Sequence, residues 1–213
     1  MKDNVFFVSG IDTNVGKSYA TGYLAKTWNE QGVRTITQKF IQTGNVGMSE
    51  DIELHRKIMG TGLLPEDESG LTMPEIFTYP CSPHLAAEID HRPIDFDKIE
   101  KATRQLSETY DAVLLEGAGG LMVPLTRDLL TIDYVAQKNY PLIFVTSGKL
   151  GSINHTLLSL EAVTRRGIRL HTVAYNLFPE EDDDIIRRDT EAYISDLLTK
   201  EYPETHFVIV PKL

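Results

Sequence analysis

Four residues, Gly10, Gly16, Lys17 and Ser18, have the types and the spacing of a loop that binds nucleotide phosphates. They belong to the stretch Gly10-Ile11-Asp12-Thr13-Asn14-Val15-Gly16-Lys17-Ser18, which follows the apolar run Val5-Phe6-Phe7-Val8 and precedes a helical pattern. Backbone N–H groups of such a loop and the N-terminus of the next helix attract anions. We expect Lys17 to reach the outer phosphates and the Ser18 hydroxyl to bind Mg²⁺. One residue more than in the common motif separates Gly10 from Gly16.

Three charged residues near the ends of predicted elements would complete such a site. Lys39 ends the stretch 35–39, and Glu116 ends the run Ala112-Val113-Leu114-Leu115-Glu116, before Gly117-Ala118-Gly119-Gly120. An acid after an apolar strand is typical of the Mg²⁺ side of phosphate-binding loops, and glycines let the backbone approach a ligand closely. Asp51 opens a helical pattern and is expected near the metal. The residues alone leave open that Lys39 is a solvated surface lysine and that Asp51 only stabilises a helix N-terminus.

Later stretches offer further polar groups. Gly151, Ser152, Ile153 and Asn154 lie at the start of a helical pattern, so their N–H groups form a second candidate anion site, although Asn154 could instead cap that helix. Asn176 ends another apolar run. Its amide can pair with the edge of a purine, and an ordinary turn asparagine is the alternative. Asp182-Asp183-Asp184 is interpreted as a loop that leads into a helix N-terminus, where acids are favoured.

The composition is that of a globular protein and argues against several classes. Of 213 residues, 41% are hydrophobic and 24% are charged, and a formal net charge of -10 without a long basic run argues against nucleic-acid binding. The single cysteine, Cys81, excludes an internal disulfide and a cysteine zinc cluster. Apolar stretches fall short of the roughly 18 residues of a membrane span, and the early apolar run leaves no room for a signal peptide, so a cytoplasmic protein is expected.

Strand and helix patterns alternate along the chain. Strands are predicted over residues 5–9, 35–39, 112–116, 142–147, 170–176 and 207–210. Helices are predicted over residues 19–30, 51–59, 96–110, 131–138, 154–166 and 185–200. This alternation predicts one α/β domain over residues 1–213, with a doubly wound, mostly parallel sheet, helices on both faces and a P-loop NTPase-like fold. Ligands of such sheets bind at the carboxyl ends of the strands. Residues 60–92 are less regular, and we expect a short helix near residues 85–89.

Together these motifs resemble those of the ATP-dependent dethiobiotin synthetases, through nearly the whole chain. The family pattern Gly-x-Asp-Thr-x-Val-Gly-Lys-Ser/Thr is met by residues 10–18, and residues 116–120 match a second motif. Supporting matches are Ser82-Pro83-His84, Arg92-Pro93-Ile94, Lys149-Leu150-Gly151 with Ile153-Asn154-His155, and Pro211-Lys212-Leu213. Phe40 is a departure, because the family usually has proline after the lysine that corresponds to Lys39.

The resemblance implies a ligase of biotin biosynthesis that uses ATP, Mg²⁺ and CO₂ to convert 7,8-diaminononanoate to dethiobiotin, by way of a carbamate and a carbamic-phosphoric anhydride. It implies catalytic roles for Lys39, Lys17 and Thr43, and metal contacts for Ser18, Asp51 and Glu116. Nucleotide contacts are implied for Thr13, Asn14, Val15, Gly16, Lys17, Ser18, Tyr19, Asp51, Glu116, Gly117, Ala118, Gly119, Asn176, Pro211, Lys212 and Leu213. Substrate contacts are implied for Lys39, Thr43, Gly151, Ser152, Ile153 and Asn154. In the family the last four come from the partner subunit, which implies a homodimer with composite sites.

An ATP-driven switch of the partitioning type is the alternative function, because those proteins have related phosphate-binding loops. They carry a signature lysine five positions before the loop's catalytic lysine. Asp12 occupies that position in this chain. The sequence therefore favours the synthetase interpretation.

Overall fold

The computed structural model describes residues 4–178 and 183–212. Its strands are β1 (Val5–Gly10), β2 (Thr35–Lys39), β3 (Gln42–Thr43), β4 (Ile76–Phe77), β5 (Ala112–Gly120), β6 (Leu142–Ser147), β7 (Leu170–Asn176) and β8 (His206–Val210). Its helices are α1 (Lys17–Glu30), α2 (Glu50–Met59), α3 (Pro65–Glu68), α4 (Pro83–Ile89), α5 (Phe96–Thr109), α6 (Thr131–Lys138), α7 (Ser152–Arg165) and α8 (Asp184–Glu201).

Six of these strands form one sheet in the order β2-β5-β1-β6-β7-β8, and each neighbouring pair is parallel. The strand β1 lies inside this sheet between β5 and β6, so the loop that follows it opens near the middle of one edge. β3 and β4 form a separate two-stranded sheet. The predicted α/β class with a mostly parallel sheet is confirmed, and all six carboxyl ends lie along the same edge.

Helices cover both faces of the sheet, which explains why the strands read as continuous apolar runs. Ala20 and Leu24 of α1 pack on one face against Val8 of β1 and Leu114 of β5. The other face is covered by apolar residues of α5, α6, α7 and α8, among them Ile99, Leu106, Ile132, Leu160 and Ile194. The helix α2 packs on α1 and reaches the end of β2. Thr37, Lys39 and Glu116 therefore project toward the side that α1 and α2 cover.

The predicted elements are present, and most of their bounds shift by only one or two residues. The strand β5 is longer than predicted because it continues through its glycines to Gly120, which pairs with Gly10. The short helix expected near residues 85–89 is confirmed as α4. The elements α3, β3 and β4 were not predicted, because segments of two to four residues are too short to show a period.

Two predictions concern helix N-termini. Gly151, with φ 96°, precedes α7 as its N-cap, and Asn154 is the third residue of the helix, so the interpretation of Asn154 as the cap is wrong. Asp183 caps α8, since its side chain accepts hydrogen bonds from the N–H groups of Ile185 and Ile186. The prediction that Asp183 lies in a loop leading into a helix N-terminus is therefore confirmed. Asp182 lies outside the described residues.

A buried ion pair joins α2 to α3. The guanidinium of Arg56 donates to both carboxylate oxygens of Asp67, at 2.8 and 2.9 Å. The hydroxyl of Thr72 and the backbone N–H of Leu64 also donate to Asp67, at 2.6 and 2.7 Å. Burial alone would raise the pKa of Asp67, but the hydrogen bonds from Arg56 and Thr72 hold it below its usual value. The irregular segment after α2 is therefore anchored by one fully paired charge.

His171 on β7 gives the fold a dependence on pH. Its ring lies 4.8 Å from that of Phe6 and 5.2 Å from that of His206, and burial, with the nearby charges of His206 and Arg169, lowers the pKa of His171 to about 4. In the unfolded chain His171 is protonated as the pH falls through about 6.5, whereas in the folded chain it stays neutral until about pH 4. The free energy of unfolding should therefore fall as the pH drops from about 6.5 to about 4.

The measurement is urea unfolding at about pH 4.5 and about pH 7. His171→Phe should show a smaller difference between the two values than the unsubstituted protein. His155→Gln is the control, because His155 is exposed and should leave the difference unchanged. An unchanged difference in His171→Phe would contradict the prediction.

Candidate active site

The loop between β1 and α1 is held in shape by a contact with the end of β7. Gly16 has φ 84° and precedes α1, and a Cβ atom at this position would lie 2.0 Å from Nδ2 of Asn176. That amide donates to the carbonyl oxygen of Val15 at 2.9 Å. Lys17 donates from Nζ to the carbonyl oxygen of Asp12, also at 2.9 Å. Glycine is thus required at residue 16 both for its backbone conformation and for the space that Asn176 fills.

Four side chains from four elements meet beside this loop. Lys39 of β2 and Glu116 of β5 are register partners, and Nζ of Lys39 donates to Oε1 of Glu116 at 2.8 Å. Lys39 also forms an ion pair with Asp51 of α2. The hydroxyl oxygen of Ser18, in the first turn of α1, lies 2.6 Å from Oδ1 of Asp51 and 2.9 Å from Oε1 of Glu116. Lys39 is only 5% exposed, so its interpretation as a solvated surface lysine is wrong.

The two lysines of the site differ in how firmly they hold a proton. Burial lowers the pKa of Lys17 to about 8, helped by the positive charge of Lys39. Burial alone would lower the pKa of Lys39 as well, but the carboxylates of Glu116 and Asp51 overcome this effect and raise it. The pKa of Glu116 is held far below its usual value, because Lys39 and His55 outweigh the effect of burial. Lys39 and Glu116 therefore stay charged over the whole range in which enzymes are assayed.

A cavity of about 790 Å³ opens over these groups, a size that suits a nucleotide and a small substrate. Of the predicted site residues, it is lined by Thr13, Asn14, Val15, Gly16, Lys17, Ser18, Tyr19, Lys39, Thr43, Asp51, Glu116, Ala118, Gly119 and Ser152. Phe178 also lines the cavity, and its ring lies 5.8 Å from that of Tyr19. The structure thus brings the loop, the charged cluster and Thr43 to one space.

Several predicted residues do not line the cavity: Gly117, Gly151, Ile153, Asn154, Asn176, Pro211 and Lys212. Asn176 is buried, and its amide contacts the carbonyl of Val15 and the N–H of Phe178, so in this structure it supports the loop. Gly151 and Asn154 are exposed. Ser152 is buried, and its hydroxyl oxygen lies 3.1 Å from the hydroxyl oxygen of Ser147. Pro211 and Lys212 follow β8, whose last residue accepts a hydrogen bond from Leu177. Leu213 lies outside the described residues.

The sequence interpretation missed His55, which contacts Glu116 from α2. The Nε2 atom of His55 lies 2.8 Å from Oε2 of Glu116, and both side chains are buried. A signal for it was available, because His55 follows Asp51 by four residues on a helix and residues at that spacing share a face. The helix α2 therefore brings two side chains to the site, not one.

The oxygen atoms of Ser18, Asp51 and Glu116 fit a magnesium ion. Mg²⁺ is usually held by one or two carboxylates and a hydroxyl, with phosphate oxygens and water as its other ligands. Within residues 4–178 and 183–212, clusters of three or more histidine, cysteine or acidic side chains suited to a metal are absent. The helices among these residues are all too short or too polar to cross a membrane.

The parallel sheet and the loop define a P-loop nucleotide-binding protein of the α/β class. A family model described as an AAA domain matches residues 4–212. The chain is 52% identical to ATP-dependent dethiobiotin synthetase BioD 2 of Pasteurella multocida, over 97% of this chain and 96% of the relative. It is 59% identical to ATP-dependent dethiobiotin synthetase BioD 2 of Haemophilus influenzae, over 84% of this chain and 93% of the relative. The chain belongs to the family of ATP-dependent dethiobiotin synthetases.

Solved structures of more distant proteins share the fold. The MinC:MinD cell division protein complex of Aquifex aeolicus matches with a TM-score of 0.55 and 12% identity, over 99% of this chain and 82% of that one. The signal recognition particle receptor FtsY of Elizabethkingia anophelis matches with a TM-score of 0.53 and 17% identity, over all of this chain. This chain spans 60% of that FtsY chain. At such identities the likeness shows the fold alone.

Proposed function

We propose that this protein catalyses the ATP-dependent conversion of 7,8-diaminononanoate and CO₂ to dethiobiotin. The observation that carries the proposal is the meeting of Lys17, Lys39, Ser18, Asp51 and Glu116 at the carboxyl ends of the strands. Two ammonium groups over a phosphate-binding loop suit a reaction in which negative charge moves between a carboxylated amine and a phosphoryl group. The names and identities of the relatives support the same reaction.

The reaction has three steps. One amine of the substrate attacks CO₂ and loses a proton, which gives a carbamate. A carbamate oxygen then attacks the terminal phosphorus of ATP, and ADP leaves, so that a carbamic-phosphoric anhydride forms. The second amine attacks the carbonyl carbon of the anhydride, loses a proton and expels phosphate as the cyclic urea closes. Positions and charges of the surrounding groups supply most of the catalysis in such a sequence.

The side chains at the cavity have distinct roles in these steps. Lys39 stabilises the negative charge of the carbamate and of the transferring phosphoryl group. Lys17 binds the same phosphoryl group from the side of ATP. Burial lowers the pKa of Lys17 to about 8, and the negative charge of bound phosphates raises this pKa because it stabilises the ammonium form. Thr43 lies in β3, beside Lys39 in the cavity wall, and donates or accepts a hydrogen bond at the carbamate or the amine.

Ser18, Asp51 and Glu116 would hold Mg²⁺ through their oxygen atoms. The ion, when bound, neutralises phosphate charge and so lowers the barrier to attack on the terminal phosphorus. The carboxylates also hold the ammonium of Lys39 in place. The base of the nucleotide is assigned to the end of the cavity near Tyr19, with Pro211, Lys212 and Leu213 as contacts that the family implies. Asn176, whose amide is bonded to Val15 and Phe178, supports the phosphate-binding loop instead.

The start of α7 is assigned to binding the carboxylate of the substrate that occupies the active site of a second subunit. Gly151 and Asn154 are exposed at the helix N-terminus, where N–H groups attract anions. Their exposure in the single chain supports a role across a subunit interface, and the family implies a homodimer with composite sites. The protein is further proposed to be one domain and to work in the cytoplasm.

Asn154→Ala should raise KM for the diamine much more than KM for ATP. The amide is removed from the proposed carboxylate site, while the loop and the charged cluster stay intact. Steady-state kinetics with each substrate varied in turn measures both constants. Thr109→Ala is the control, because Thr109 is exposed at the end of α5, and it should leave both constants unchanged. A larger change in KM for ATP would contradict the assignment.

The function is tested by phosphate release from MgATP and bicarbonate, with and without 7,8-diaminononanoate, while mass spectrometry follows the cyclic urea. We expect release that depends on the diamine, with one urea formed per phosphate. Hydrolysis that does not depend on the diamine, or the absence of release, would overturn the proposal and favour a switch or a nucleotide-binding protein.

A further inference from the structure

His55 is part of a row of buried hydrogen bonds that ends on Glu116. Nδ1 of His55 lies 3.0 Å from the hydroxyl oxygen of Thr37, and Nε2 of His55 lies 2.8 Å from Oε2 of Glu116. Thr37, His55 and Glu116 are each fully buried. The other oxygen of Glu116, Oε1, contacts Lys39 and Ser18. The two oxygens of one carboxylate therefore face two different sets of partners.

The carboxylate of Glu116 decides which ring nitrogen of His55 donates, and Thr37 accommodates the other nitrogen. Nη1 of Arg56 donates to the hydroxyl oxygen of Thr37 at 2.8 Å, and a guanidinium can only donate. The hydroxyl of Thr37 accepts this bond, and with one hydrogen and a second lone pair it can either donate to Nδ1 of His55 or accept from it. In either arrangement the contact at 2.8 Å between Nε2 of His55 and Oε2 of Glu116 requires a hydrogen on Nε2, because an ionised carboxylate can only accept. A lone pair on Nε2 would instead face the carboxylate at 2.8 Å, which is repulsive.

We propose that His55 is a positioning residue that holds Glu116 by Oε2, so that Oε1 stays directed at Ser18 and Lys39. The inference rests on the proposed role of Glu116 beside the phosphates and the metal. The last torsion of a glutamate is broad and weakly restrained, so a carboxylate at the end of a strand needs a partner that fixes its plane. Groups that orient a metal-binding side chain in this way typically change metal affinity or activity by about 10- to 100-fold when they are lost.

The position of His55 on α2 gives this contact a second consequence. Asp51 lies one turn earlier on the same helix and contacts Ser18 and Lys39. The helix α2 thus carries Asp51, a candidate Mg²⁺ ligand, and also His55, which holds the second candidate carboxylate, Glu116. A shift of α2 along β2 would displace the carboxylate of Asp51 and at the same time withdraw His55 from Glu116. The bond between Arg56 and Thr37 ties the helix to β2 at that point.

The experiment compares His55→Leu with His55→Gln. Leucine fills the space without a donor, whereas the amide nitrogen of glutamine lies about as far from the backbone as Nε2 of histidine and can donate to Glu116. Calorimetry measures the affinity for a non-hydrolysable ATP analogue with Mg²⁺ and with EDTA, and kinetics measures the apparent constant for Mg²⁺. We expect the Mg²⁺ constant of His55→Leu to rise about 10- to 100-fold, with little change in binding in EDTA. His55→Gln should recover most of the loss.

Ile52→Val is the matched control, because Ile52 is buried on the same helix one turn earlier and is not among the contacts of Glu116 given above. It should lower the melting temperature and leave the Mg²⁺ dependence unchanged. An unchanged Mg²⁺ constant in His55→Leu, or a His55→Gln protein as defective as His55→Leu, would overturn the inference. The binding readout needs no diamine, so failure of the proposed reaction would leave this test intact and would show separately in the phosphate assay.

Discussion

Lys39→Met is expected to lower kcat by about 10²- to 10³-fold, the usual loss when one group that stabilises transition-state charge is removed. The affinity for ATP should change little, since Lys17 and the loop supply the phosphate contacts. The variant keeps the apolar stem of the side chain and removes only the ammonium group. Turnover is measured with saturating diamine, and nucleotide binding is measured by calorimetry.

The contacts of Lys39 explain why its ammonium group stays in one position and stays charged. The ammonium of Lys39 contacts Asp51, Glu116 and, at 3.4 Å, the carbonyl oxygen of Gly117, so its direction is fixed. The two carboxylates raise its pKa, so the charge is present at every assay pH. The pH profile of kcat should therefore lack a step that belongs to Lys39.

Lys101→Met is the control for this substitution, because Lys101 is exposed on α5. It should leave both kcat and ATP binding unchanged. A Lys39→Met protein that turns over at the normal rate would remove Lys39 from the mechanism. A variant that fails to bind ATP would instead show that the substitution has disturbed the pair of carboxylates and the loop beside it.

Asp67→Ala should have the largest effect on stability, a loss of about 3–5 kcal/mol in the free energy of unfolding. The substitution leaves the guanidinium of Arg56 buried without its carboxylate, and Arg56 is only 1% exposed. Thr72 and the N–H of Leu64 lose their acceptor as well. Urea unfolding monitored by circular dichroism measures the loss.

The double variant Arg56→Met with Asp67→Leu separates charge from packing. Replacing both partners by apolar side chains of similar volume is often close to neutral, so the double variant should be more stable than Asp67→Ala. A loss below about 1 kcal/mol in Asp67→Ala would contradict the prediction, because it would mean that solvent reaches Arg56. A double variant that is less stable than the single one would contradict it too.

Much of the fold could be predicted because its signals are local. Each long strand is a short apolar run, and each long helix has an apolar stripe and recognisable ends, so their order indicated the parallel sheet. The phosphate-binding loop is contained in nine consecutive residues. The sequence also placed Lys39 and Glu116 at strand ends, where ligands of such sheets bind. Each of these features is set by residues that are close together in the sequence, within one element or one turn, so the sequence shows it directly.

Phe40 shows where a departure from a family pattern has a structural answer. Its N–H donates to the carbonyl oxygen of Glu116 at 2.8 Å, which extends the pairing of β2 and β5 past Lys39. A proline could not donate this bond. The ring is fully buried and packs with those of Phe7 and Tyr134, at 5.5 and 4.8 Å. The change therefore reinforces the backbone that carries Lys39 and leaves the amine in the site.

The sequence by itself determined the class of fold, the loop and the family. The tertiary structure decided which of the marked residues meet: Lys39 faces Glu116 because β2 pairs with β5 in that register, and Asp51 and His55 join them because α2 docks on α1. It also turned Asn176 toward the loop and left Asn154 at the surface. Register and helix docking are set by packing between residues far apart in the chain, and a local pattern carries no information about such distances.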